Sequence, residues 1–328
     1  MEKLPTNKKE SGVSRIVGVE TEEEKDILDF FKQLFEEGGR SSAEKEHPKE
    51  LDELIIAINV FLKKFLKHYG LDSINIPVEN IHIIDRSKLT LKQIEMFDQK
   101  YKNKMAVYIS QTQQIVFLRD YTANKKIEFA QALVHEMLHL NSFLSLQKQK
   151  AGKDYDYKLT ARSESGQEDI FLKYRRLGFR IYSSNDKTYF YDTDESIITE
   201  LSMRFDWKYF SRLPLLAEEY QGRQKTIKRA IHQLGKNAEE LKKKWAVVEI
   251  ADGKIITIKN YPHSKERAEL NGLIDDLYEK NKPDFLSREE IFDLFAKASL
   301  TGKLLPIAKL IEKTYGQGSF RQLGERTQ

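Results

Sequence analysis

One pentapeptide, His135-Glu136-Met137-Leu138-His139, restricts this chain more than any other stretch, because its residues act together only on a helix held inside a fold. From about Lys125 to Leu146, the residues Ala130, Leu133, Val134, Met137 and Leu138 recur at three- and four-residue spacing. That spacing predicts a helix with one inner side. Positions i and i+4 of a helix lie one above the other, so both imidazoles point the same way and can grip one ion. Glu136 follows His135 directly, which carries its carboxylate beside that ion. Neutral imidazole suits zinc, and zinc lowers the pKa of a bound water towards ~7, within reach of a carboxylate base. The bland alternative is two partly buried histidines bonded to neighbouring carboxylates. Context favours the metal: the pentapeptide falls mid-helix, soon after a predicted strand, among apolar neighbours that keep the site dry.

A catalytic zinc needs a third protein ligand and an open fourth position. The chain has no cysteine, so that ligand must be His, Asp or Glu, and disulfides, thiol catalysis and Cys-rich zinc ribbons are excluded. Six residues after His139 stands Ser145 rather than a third histidine, so the metzincin pattern is absent. Two candidates lie on a predicted helix from about Asp194 to Phe210, namely Glu195 and Glu200. Glu195 shares a face with Ile198, Ser202 and Phe205, whereas Glu200 shares its face with Ile197 and Arg204, which would set a cation near the ion. The pattern favours Glu195 and leaves Glu200 as the alternative. Either could be a solvated helix carboxylate, the commonest fate of a glutamate.

The order of these features resembles the gluzincins, zinc peptidases whose third ligand is a glutamate on a second helix. Small members of that group carry a hydrophobic strand, the HExxH helix, a β-hairpin and a segment like Asn-Glu-Ala-x-Thr-Glu. Here Asp194-Glu195 stands where Asn-Glu would be, with one extra residue before Thr199-Glu200. The likeness covers roughly residues 80 to 210, and the pentapeptide is its one sharp match. It implies an α+β fold with a zincin-like catalytic domain, a small mixed sheet packed on the metal helix, and helical flanking regions at both ends. Zn2+ would be the cofactor, held by His135, His139 and Glu195, with Glu136 the general base in peptide-bond hydrolysis. The strand Gln114–Arg119 would offer its edge to an extended substrate. An oxyanion partner, often Tyr or His in that group, is sought among Tyr189, Tyr191 and Tyr209, and no pattern singles one out.

Around this centre the chain divides into a polar tail (1–20), a zincin-like unit with N-terminal helices (21–214) and a mostly helical region (215–328). Thr21 with Glu24 has capping-box spacing and opens a helix that ends at Gly38-Gly39. Pro48 starts a second helix, ending near Gly70. Strands are predicted at Asn80–Asp85, Ala106–Ser110 and Gln114–Arg119, then polar loop from 147 to 169. One hairpin runs Gly178–Tyr182 to Lys187–Tyr191 around Ser183-Ser184-Asn185-Asp186, and another pairs Ala246–Ile250 with Lys254–Lys259 around Asp252-Gly253. Ser287 with Glu290 caps a helix, and a last helix stops at Gly316-Gln317-Gly318, a C-cap rather than a phosphate loop.

Lys plus Arg number 55 and Asp plus Glu 51, a net charge of +4 that by itself implies no nucleic-acid or membrane partner. The basic stretch from Arg223 to Lys244 (Lys225, Lys228, Arg229, Lys236, Lys242-Lys243-Lys244) is interrupted by Glu239 and Glu240 and lacks interleaved aromatics, so it is expected to be a solvated face. His82 alternates with Ile81 and Ile83 and is expected to face solvent or a bonded neighbour. The N-terminus lacks an apolar signal core, and the most apolar stretch, Leu51–Leu66, is too short and charged to span a bilayer, so a cytoplasmic location is expected. The expected partner is a peptide or protein substrate. The rival expectation is a regulatory, partner-binding protein on the same scaffold, with one narrow target or no peptidase activity, and a DNA-associated protease ranks below both.

Overall fold

The computed structural model describes residues 11–37, 43–101, 104–122, 125–149, 159–162, 169–183, 187–234, 245–251 and 254–325. The fold is α+β. Its elements begin with strand β1 (Arg15–Val17), helices α1 (Thr21–Glu37) and α2 (Lys49–Lys67), β2 (Ile81–Ile83), α3 (Leu91–Lys100), β3 (Ala106–Ile109), β4 (Gln114–Phe117) and α4 (Lys126–Asn141). There follow β5 (Leu144–Gln149), β6 (Leu159–Arg162), β7 (Asp169–Leu177), β8 (Arg180–Tyr182), β9 (Thr188–Tyr189), α5 (Tyr191–Tyr209) and α6 (Pro214–Leu234). The hairpin β10 (Trp245–Ala251) and β11 (Lys254–Asn260) leads into α7 (Ser264–Lys280), α8 (Arg288–Thr301), α9 (Leu305–Tyr315) and α10 (Ser319–Glu325).

The metal-motif helix α4 is buried on most of its circumference: Phe129, Ala130, Leu133, Val134, Met137, Leu138 and Leu140 are all fully enclosed. Truncating such a leucine costs about 2–5 kcal/mol, more than any helix-propensity term, so burial rather than propensity fixes where α4 lies. On one side it meets the three-stranded sheet, ordered β2-β4-β3, where Phe117 stacks on Phe129 at 3.8 Å between ring centroids. On the other it packs along α5. The main core joins residues from α2, α4 and α5 to Leu277 of α7, Phe295 of α8 and Ile311 of α9, so residues on both sides of position 214 share it.

Several expectations are corrected. The helix predicted to reach Leu146 ends at Asn141. There Asn141 Nδ2 donates to Met137 O at 2.9 Å and Ser142 Oγ to Leu138 O at 2.8 Å, closing the last turn. Leu144–Gln149 is then a strand, and with β6 and β7 it replaces the described parts of the loop expected over 147–169; residues 150–158 and 163–168 lie outside the described residues. That loop reading followed the Lys and Gln content and overlooked the alternation of buried Leu144 and Leu146 with polar neighbours. The polar tail is also corrected in part: β1 pairs in parallel with β5, and Val13 and Ile16 are buried. Residues 1–10 lie outside the described residues.

Helix α9 stops at Gly316 as expected, but α10 follows it and seats Gly324 against Phe190. Glu24 bonds Ile16 N at 2.9 Å, tying the start of α1 to β1. Both predicted hairpins form, with Ile181 opposite Tyr189 and Val248 opposite Ile258. Their turns at 184–186 and 252–253, the Gly38-Gly39 stop and Lys236 to Lys244 lie outside the described residues.

Candidate metal centre

His135, Glu136 and His139 lie on the side of α4 that faces away from Met137 and Leu138 in the core, with His135 and Glu136 half-buried and His139 buried. The two imidazoles converge as the spacing predicts: His139 Nε2 is 3.2 Å from His135 Nε2. Glu195, in the second turn of α5, brings Oε2 to 3.4 Å from His135 Nε2 and 3.5 Å from His139 Nε2. Ligands at about 2.1 Å around a tetrahedral zinc stand about 3.4 Å apart. The three separations match that spacing, and the donor set of two imidazoles and one carboxylate suits the ion. Among the described residues this trio is the one group of three or more such side chains able to hold a metal.

Glu200 is not brought to this point. Its Oε2 accepts from Arg267 Nη2 at 2.9 Å and Nε at 3.2 Å, and Arg204 lies 3.5 Å from Oε1. The two carboxylates are equally buried, so their partners decide their roles. Glu195 Oε1 is bound by Arg180 Nη2, while Arg180 Nε donates to Asp194 at 2.8 Å and the guanidinium lies over the Tyr191 ring at 4.3 Å. Arg180 thus holds one oxygen of Glu195 and leaves the other for the histidines. Asp194 also accepts from Phe179 N at 2.6 Å, close beside Gly178, whose φ of +58° and nearness to Asp194 suit glycine.

Burial favours the neutral form of Glu195, but facing His139 and Arg180, with hydrogen bonds from both histidines, outweigh it and hold the carboxyl well below its usual range. Burial would lower His135; its hydrogen bond to Glu195 and the charges of Glu136 and Glu195 outweigh that and raise it. Glu136 Oε2 accepts from Tyr108 N at 2.8 Å, which aims this carboxylate from the neighbouring strand β3.

Sequence reasoning missed His263. It sits at the mouth of α7 with φ of +53°, after Tyr261-Pro262, and its Nε2 is 3.5 Å from Glu195 Oε2. Burial lowers its pKa despite Glu195 nearby. The strap that carries it is anchored on both sides. Tyr261 OH donates to Asp206 at 2.5 Å, where Arg223 and Gln131 of α4 also bind, and buried Arg267 engages Glu200. A non-glycine residue in the left-handed region after a Tyr-Pro pair was the available signal, and it is visible only in three dimensions.

The trio opens into a cleft of about 800 Å³ lined by α4, α5, β3 and the strap. Its β3 wall corrects another expectation. Strand β4 pairs with β2 on one side and β3 on the other, so Gln114–Phe117 has no free edge, and β3 is the edge strand beside α4. Tyr189, Tyr191 and Tyr209 do not line the cleft; Tyr209 packs against Phe65 and Phe205 in the core. His82 is buried with Nδ1 2.9 Å from Glu44, a bonded neighbour away from the site. Of the basic stretch, Arg223 is spent on buried Asp206, while Lys225, Lys228 and Arg229 face outward. No helix among the described residues is long and apolar enough to cross a membrane. No protein-family model, no curated protein and no solved structure matches this chain.

Proposed function

We propose that the chain is a zinc-dependent metallopeptidase of gluzincin type, with a zincin-like arrangement of α4, α5 and the β3 edge. The observation that carries this reading is the convergence of His135, His139 and Glu195 at tetrahedral spacing beside Glu136, at the wall of an open cleft. Zn2+ held there supplies a Lewis acid and a bound water whose pKa falls towards ~7.

The chain's own residues do the rest. Glu136, aimed by Tyr108 N–H, takes the proton of the attacking water and hands it to the leaving amine. His263 reaches the same space from the opposite wall, where an imidazole N–H can donate to the oxygen of the scissile carbonyl. Met105 O accepts from Leu118 N, so residues 105 and 107 turn towards β4 and residues 106 and 108 turn outward. Ala106 thereby offers its N–H and C=O to an extended peptide added along the edge. Arg180 holds Glu195 in place, the kind of outer contact that orients a metal ligand.

Purified protein should carry about one zinc per chain and hydrolyse unfolded protein, and Glu136→Gln should keep the zinc while losing hydrolysis. Wild-type protein that takes up no zinc after reconstitution would sink the reading.

A second reading is favoured by His263 itself. If its imidazole turns onto the metal, four protein ligands close the site, and the scaffold serves a regulatory, partner-binding role with a narrow target or no hydrolysis. His263→Ala separates the two: hydrolysis falls about 10²–10³-fold if the imidazole stabilises the oxyanion, and appears or rises if it blocks the fourth position.

A further inference from the structure

The end of the cleft away from the ligand trio holds two cations without an ion-pair partner among the described residues. Lys104 precedes the edge strand β3, and Arg119 follows β4. The antiparallel register sets Ala106 against Phe117, and Leu118 N bonds Met105 O at 2.9 Å. Continued one step past the strand ends, that register sets Lys104 across from Arg119. Both are exposed and both line the cleft. Like charges directly opposite on paired strands destabilise a sheet. The neighbouring carboxylates are already engaged: Asp120 binds Lys45 at 2.7 Å and Asp98 binds Arg86 at 2.9 Å. Across the cleft, Lys259 lies 3.6 Å from Glu128. Lys104 and Arg119 make no ion pair among the described residues.

Their place along the strand gives the pair a register relative to the chemistry. Tyr108 N touches Glu136, which marks the reacting end of β3. Lys104 lies four residues back, roughly 13 Å away at the ~3.3 Å rise of an extended chain. A peptide added along β3 advances at the same rise, so the residue it presents to the two cations is about four positions from the scissile bond. We propose that the cleft selects extended peptide segments with an Asp or Glu about four residues from the cleaved bond, on the side running towards Met105, its carboxylate seated between Lys104 and Arg119. This rests on the metallopeptidase reading and adds the substrate class to it. A carboxylate there relieves the repulsion between the cations and, in a cleft with a resident dication, steers acidic segments into place.

The test is cleavage-site profiling of a mixed peptide library by mass spectrometry, with the zinc-loaded protein and Glu136→Gln as the control for contaminating proteases. The expected result is Asp or Glu enriched about threefold to tenfold three to five residues from the cleaved bond, the size of two partly exposed ion pairs. In the Lys104→Glu/Arg119→Glu double variant the enrichment should pass to Lys and Arg, and in the Lys104→Gln/Arg119→Gln variant it should vanish. Enrichment absent from the bonds that the wild type cleaves, or unchanged in the double variant, overturns the proposal.

Binding provides a second reading that does not need turnover. Zinc-loaded Glu136→Gln, probed by fluorescence anisotropy, should bind a labelled Asp-rich extended peptide more tightly than its Lys-rich counterpart, with the order reversed when the two cations are reversed. Binding of this kind without any cleavage by the wild type would uphold the docking site and sink the peptidase reading. Equal binding of both peptides overturns the docking site.

Discussion

The stretch of α5 around Glu195 and the stretch around Glu200 are made of the same materials, a carboxylate with an arginine beside it. The two glutamates are 5% and 6% exposed, so burial does not tell them apart. Their second partners do. Arg180 takes one oxygen of Glu195 and leaves the other facing His135, His139 and His263. Arg267 takes Glu200 with two nitrogens, and Arg204 adds a third cation nitrogen. The second oxygen of one carboxylate thus faces imidazoles, and that of the other faces a guanidinium. A buried acid with an open oxygen facing converging imidazoles has the makings of a ligand site. A buried acid set between two guanidinium groups is a fastening for the strap.

The strongest way to break this comparison is to delete each glutamate in turn and count zinc. Glu195→Ala should drop the metal from about one per chain to near none after dialysis, while Glu200→Ala should keep it; elemental analysis decides. Next comes stability. Arg267→Ala leaves Glu200 buried with its main partner gone, which should cost about 3–5 kcal/mol in urea unfolding, with zinc still bound by the folded fraction. Smaller again is Arg180→Gln, expected to weaken zinc affinity about 10–100-fold by freeing Glu195 to turn, as measured by competition with a chelator.

The smallest effect concerns pH. Burial, with Asp206 alongside, pushes the Tyr261 hydroxyl well above 10.0, and burial pushes Tyr69 and Tyr108 the same way. In the unfolded chain these groups lose protons near ~10. Above that pH the unfolded state binds fewer protons than the folded one, so stability falls as pH rises. The thermal midpoint should fall between pH 9 and pH 11, and fall less steeply in Tyr261→Phe, which itself costs about 1–2 kcal/mol at neutral pH. A midpoint that does not fall would mean that these tyrosines ionise in the folded protein.

What could be read in the sequence follows the range of the interactions. His135, Glu136 and His139 depend on one helical turn, so their convergence was legible from spacing alone. Glu195 was favoured over Glu200 by face periodicity, a property of one helix. The strands β5 to β7 were not legible, because Gln147, Lys148 and Gln149 look like loop until a partner strand is known. The edge was assigned to the wrong strand for a similar reason. Sequence order puts Gln114–Phe117 next to α4, but which neighbour ends up outermost depends on β2 joining from far away. His263 is the extreme case, since its nearness to Glu195 depends on Tyr261 and Arg267 both finding their partners on α5.

The position of the strap also puts a clock on the site. A ribosome finishes α4 and α5 long before it reaches His263; at about 5–20 residues per second, the stretch from Tyr209 to His263 takes roughly 3–11 s. During that interval the growing chain already carries both histidines and Glu195, but not the residues that wall the other side of the cleft. Assembly of the full constellation is therefore a late event in the life of each new chain. A truncated product ending before the strap can offer a metal a place to sit without His263 beside it.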